Sequence, residues 1–183
     1  MYNKIMNHEH HNHSGMKIHT EQKKGFKQFI PLVFMAAVVV VLTLVFNAIC
    51  PLEAPVPVMR NFMGSFFLVF GLLKLFKLKD FATAYAKYDL LAMRSKLYAK
   101  AYPFIELALA AVYLFNFELL ITSWVTAVLM LVGALGVYIK LRKKEEIQCA
   151  CLGTVFKLPM TYVTLVEDLL MAGMAIYIII KSI

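Results

Sequence analysis

Charged side chains are scarce in this chain. They make up 16% of its 183 residues, where soluble domains carry about a quarter. With 61% hydrophobic residues and a mean hydropathy of +0.72, the composition excludes an ordinary soluble domain and fits a membrane protein. Acids are scarcer than bases, 11 against 19, and the formal net charge is +8. In a soluble protein that excess would suggest nucleic acid. Here the bases stand at the ends of apolar runs, the pattern of a membrane protein oriented by its loops, so no nucleic-acid partner is expected and the bilayer is. Three cysteines cannot close a disulfide framework. Histidine is confined to the first 19 residues, within a polar stretch over 1–28 that lacks the charged, apolar and cleavage regions of a signal peptide.

Five apolar segments follow: Phe29–Ile49, Asn61–Leu78, Tyr102–Phe117, Leu119–Leu141 and Thr161–Ile180. At a rise of ~1.5 Å per residue, about 20 residues cross a hydrocarbon core of ~30 Å. Tyr102–Phe117 is short and draws on Ala99–Ala101 or on Leu119 to reach across. The expected fold class is an all-α integral membrane protein, a four-helix transmembrane bundle plus one extra N-terminal transmembrane helix. Its divisions are a histidine-rich tail (1–28), the extra helix (29–49) and the four-helix domain (60–183). Between the second and third spans, Phe81, Tyr85, Tyr88, Ala92, Ala99 and Tyr102 recur near helical spacing, with Asp80, Lys87 and Arg94 on another face. That pattern predicts an amphipathic helix in the headgroup region, or an extension of the neighbouring spans.

Lys and Arg residues set the expected orientation. Lys4, Lys17, Lys23, Lys24 and Lys27 precede the first span. Lys79, Lys87, Arg94, Lys96 and Lys100 follow the second, and Arg142, Lys143, Lys144 and Lys157 follow the fourth. The opposite side carries only Arg60 and Lys181. The positive-inside rule then places a multi-pass protein in the cell (inner) membrane with its N-terminus cytoplasmic and its C-terminus outside. On that topology Cys149 and Cys151 are cytoplasmic and Cys50 lies on the outer side, beyond the ~7 Å Cα separation that a disulfide tolerates.

Few residues carry chemistry. Cys149 and Cys151 stand one residue apart in EIQCACLGTVFKLPM. As a disulfide they form a small, strained and easily reduced ring. As thiolates, favoured by Lys143, Lys144 and Lys157, they suit copper, mercury or zinc. The plain alternative is two small apolar residues in a loop. Glu106, Glu167 and Asp168 are acids inside apolar segments, where ionisable groups are costly and face the bundle interior. Lys74 approaches the same end, so Lys74, Glu106, Glu167 or Asp168 and the cysteine pair are expected to converge. Three roles are open: Glu106 or Asp168 shuttles a proton during thiol exchange, the acids line a cation path, or Lys74–Glu106 is a structural pair. Glu167 and Asp168 point ~100° apart on a helix, so only one is expected to face inward. His8, His10, His11 and His13 have spacings that suit capture of copper, nickel or zinc by a flexible tail, the alternative being a solvated tail.

The run RNFMGSFFLVFGLLKLFKLKDFATAYAKYDLLAMRSKLYAKAYPFIELALAAVYL, then CACLG, then LPMTYVTLVEDLLM, resembles the methylamine-utilisation MauE family, within the wider DoxX-like group of four-helix membrane proteins. The likeness covers roughly Arg60 to Ile180. It rests on FGLLKL (Phe70 to Leu75), Tyr88 and Asp89, Pro103 and Glu106, Cys149, Cys151 and Gly153, and the pair Glu167 and Asp168. The resemblance implies a redox-associated membrane protein, linked to disulfide formation or reducing-equivalent supply in the maturation of methylamine dehydrogenase, with a thioredoxin-like partner. DoxX-like relatives imply a possible quinone. The extra span and the histidine-rich tail depart from a plain MauE pattern. The expected function is thiol–disulfide exchange through Cys149 and Cys151, with Glu106 or Asp168 handling protons. The competing class is heavy-metal binding or transport through the histidines, the cysteine pair and the intramembrane acids, and a third is an assembly factor without chemistry of its own.

Overall fold

A computed structural model describes residues 30–49, 55–143 and 161–183. The described residues form α1 (Ile30–Ile49), α2 (Pro55–Phe76), α3 (Leu78–Tyr85), α4 (Lys96–Leu114), α5 (Leu119–Arg142) and α6 (Thr161–Ser182). Five of these helices, all but α3, are long and apolar enough to cross a membrane. The protein is an all-α integral membrane protein, as its composition requires.

Two helix starts differ most from the expected ones, each for a local reason. α2 begins at Pro55 instead of Asn61, because prolines in a first helical turn remove only N–H groups that have no partner there. α4 begins at Lys96 instead of Tyr102, and Ser95 caps it: its backbone is extended and its Oγ accepts from the Tyr98 N–H at 3.2 Å. The helix then runs through Pro103, which therefore does not open the span.

The segment between α2 and α4 corrects a larger expectation. It is not one amphipathic helix on the membrane surface. α2 breaks at Lys77, α3 runs for eight residues, and residues 86–95 form a chain of turns. Asp89 organises those turns, since its Oδ1 accepts from the backbone N–H groups of Leu91 and Ala92 at 3.0 and 2.8 Å. The expected apolar face exists, but it points into the protein. Phe81, Tyr85, Tyr88, Ala92, Ala99 and Tyr102 are all buried in one cluster with Val137.

In the bundle α2 packs on α4, α5 on α6, and α1 on α2. The main core joins Met63 and Phe67 of α2, Leu109 and Tyr113 of α4, Met130 of α5 and Met171 of α6. α1 is attached at its middle by Val39 against Val69 and Phe70. Near its C-terminal end, Asn61 donates to Asn47 at 2.7 Å. The outward faces of α1 and α5, with Phe34, Leu44, Ile121 and Val128 exposed, are the surface that lipid covers.

Candidate functional site

The site is built between α2, α4, α5 and α6, roofed by α3. Lys74 lies in the last turn of α2 and Glu106 at the middle of α4; both are buried, and Lys74 Nζ donates to Glu106 Oε1. Two rings hold the ammonium from the sides, Tyr102 with its centroid at 5.0 Å and Phe81 at 5.4 Å. A cation over an aromatic face gains most away from bulk water, and Lys74 is buried. Burial of two charges is costly, and a close partner and polarisable walls offset that cost. The second carboxylate oxygen, Glu106 Oε2, is buried with no hydrogen-bond partner.

Across from this pair stands α6. Asp168 Oδ2 lies against α5 at Gly133, where an added Cβ would approach it to 3.2 Å. Lys74, Glu106, Glu167 and Asp168, with Thr164 and the rings of Phe81, Tyr85, Tyr88 and Tyr102, line one cavity of about 40 Å³. At ~10–15 Å³ per water-sized site, it has room for about three or four water molecules. Both members of the acid pair reach the cavity wall, where one was expected.

The roof is a tyrosine cluster. Tyr85 packs on Tyr102 at 4.4 Å between centroids and edge-on to Tyr88 at 5.5 Å. Burial, and then the neighbouring Tyr102 and Asp89, push the Tyr85 hydroxyl far above the ordinary phenol range, so it stays a neutral hydrogen-bonding group. Tyr88 and Asp89 hold the roof against α5 at Gly136, where an added Cβ would come within 2.3 Å of the Tyr88 carbonyl oxygen. Farther into the bundle the same helices turn apolar, with Phe67, Leu109, Met130 and Met171 in contact. Beyond that layer the Tyr113 hydroxyl reaches Thr126 Oγ1 at 3.0 Å and Ser123 Oγ at 3.4 Å.

Of the residues singled out from sequence, Lys74, Glu106, Glu167 and Asp168 come together. Cys50, Cys149, Cys151, His8, His10, His11 and His13 lie outside the described residues. Among the described residues no group of three His, Cys, Asp or Glu side chains is arranged to hold a metal ion. The cavity is an order of magnitude smaller than the ~300–1,000 Å³ typical of small-molecule sites. Sequence reasoning missed Phe81, Tyr85 and Tyr102 as walls of the site. Their helical spacing was visible and pointed equally well to a lipid-facing stripe.

Fold and site together define a multi-pass membrane protein with a water-sized ionisable cavity near one face of its bundle. Residues 52–181, well over half of the chain, match the family model described as methylamine utilisation protein MauE. The chain belongs to the MauE family, with α1 lying before the matched residues. Neither a curated protein nor a solved structure matches it.

Proposed function

We propose that this protein carries out thiol–disulfide exchange at the membrane, with Cys149 and Cys151 as the reactive pair and the Lys74–Glu106–Asp168 cavity as its proton store. One observation carries the reading. The cavity's carboxylates lie in the half of the bundle nearer to where α5 stops and α6 starts, and the cysteines belong to the connection between those helices. Asp168 is seven residues into α6, about 10 Å along the axis from Thr161.

The exchange balances without another reactant. A thiolate of the pair attacks the disulfide of a thioredoxin-like partner to give a mixed disulfide. The second cysteine closes the Cys149–Cys151 bond and releases the partner as a dithiol. Two electrons leave the pair and two arrive on the partner; run backwards, the same steps reduce the pair. Protons leave the attacking thiols and return to the departing thiolates, and a nearby carboxylate, Asp168 or Glu106, can hold one in between. The apolar layer beyond the cavity supports exchange at one face over a cation path through the bundle. The reading includes an N-terminus in the cytoplasm of the cell (inner) membrane, a C-terminus outside, a role in methylamine utilisation, and kinship with DoxX-like four-helix proteins. It uses no quinone and no metal.

The test is labelling with a membrane-impermeant maleimide in intact cells and inverted vesicles, before and after reduction. Labelling of Cys149 and Cys151 in inverted vesicles only after reduction is the expected outcome. Asp168→Asn should then slow reoxidation of the pair by about 10²-fold, the usual worth of a general base. Free labelling without reduction, blocked by a soft metal ion, would overturn the exchange reading in favour of metal handling.

A further inference from the structure

The exchange chemistry leaves unused a second, larger cavity on the outer side of α3 and the first turn of α4. It measures about 450 Å³ and is lined by Lys79, Ala82, Thr83, Ala86, Lys96 and Lys100. Every ionisable group in that lining is a lysine, and all three lysines are exposed. Three ammonium groups on one groove with no carboxylate among them focus a positive potential that an anion relieves. Thr83 gives its hydroxyl hydrogen to the Lys79 carbonyl at 2.8 Å, which leaves the ammonium groups as the side-chain donors of the groove.

Position selects the anion. The second candidate span ends at Phe76 and the third starts at Lys96, so the groove stands where hydrocarbon gives way to headgroups. Phe76 at the end of α2 and Leu97 at the start of α4 are 85% and 78% exposed, an apolar margin suited to acyl chains. The volume falls in the ~300–1,000 Å³ range of small-ligand sites, enough for a headgroup and more than a lone ion needs. We propose that this groove binds the phosphodiester headgroup of an anionic phospholipid, with Lys79, Lys96 and Lys100 as its ligands. Because α3 also roofs the ionisable cavity, the bound lipid fixes the roof in place. The site does not depend on thiol exchange.

The full chain, purified in zwitterionic micelles, would be titrated with phosphatidylglycerol and the retained lipid counted by native mass spectrometry. A lysine near the membrane surface strengthens anionic-lipid binding about fivefold. Lys79→Gln, Lys96→Gln and Lys100→Gln together should therefore weaken it by about a hundredfold. Removing equal charge outside the groove, with Lys77→Gln, Lys87→Gln and Arg94→Gln, should leave affinity nearly unchanged, and inorganic phosphate should not displace the lipid. Equal losses from both triple variants would mean diffuse attraction and would overturn the site, as would displacement by inorganic phosphate. Should the groove variant fail to fold, judged by melting in lipid-free micelles, Lys79→Arg, Lys96→Arg and Lys100→Arg keeps the charge and must keep the lipid; its loss would equally sink the proposal.

Discussion

At Lys74 an ammonium group is taken out of water and given one carboxylate and two aromatic faces in return. Removing either charge leaves the other buried without compensation. Glu106→Gln should destabilise the protein by about 3–5 kcal/mol, and Lys74→Met with Glu106→Leu should recover most of the loss. Unfolding in detergent micelles measures both; a Glu106→Gln protein as stable as the parent would deny the pair its structural part. The sequence made these residues conspicuous, since a charge inside an apolar run is rare. It did not show that Asp89 caps a run of turns, because an Asp in a loop of mixed composition has many possible partners and only the folded backbone selects Leu91 and Ala92.

Two glycines separate close approach from mere helix content. Gly136 lies where the turn after α3 rests on α5, and a Cβ there meets backbone that cannot rotate away. Gly136→Ala should cost about 1–3 kcal/mol or more and displace Tyr88 and Asp89 from the roof. Gly173 on α6 has nothing within 4 Å of an added Cβ, so Gly173→Ala should be neutral or stabilising by up to about 1 kcal/mol. The comparison is made by melting both variants in micelles. If Gly136→Ala melts with the parent protein, the turn does not depend on that contact. Before folding, both read alike as small residues in apolar helices. The spans were legible because about 20 apolar residues in a row have few other uses. The segment between α2 and α4 was not, because a helical repeat of aromatic residues fits a lipid surface and a protein interior equally well.

Five candidate spans among the described residues, each crossing once, would put the two ends of the chain on opposite faces of a membrane. Together with the Lys and Arg distribution, this predicts that a reporter fused at the N-terminus is active only in the cytoplasm and one at the C-terminus only outside. Reporters active on the same side would require an even number of spans and would relocate Cys149 and Cys151. The MauE match starts at residue 52, so α1 and the histidine-rich tail are additions to the matched region. Deleting residues 1–28 should leave exchange at Cys149 and Cys151 unchanged, as judged by the maleimide labelling above. A lost or slowed cycle would assign the tail a part in the chemistry.

Hydropathy alone determined that the chain is a helical membrane protein, because in hydrocarbon every backbone polar group must be paired and an apolar helix pairs its own. Scarcity alone marked Lys74, Glu106, Glu167 and Asp168, since each charge inside the bilayer demands a partner. The tertiary structure decided which partner and how much space. It turned a stripe of tyrosines inward as a roof, joined Lys74 to Glu106, and left a cavity sized for a few waters. Those outcomes depend on contacts between helices far apart in the chain, at separations set by residues as small as Gly133 and Gly136, and no local pattern encodes them.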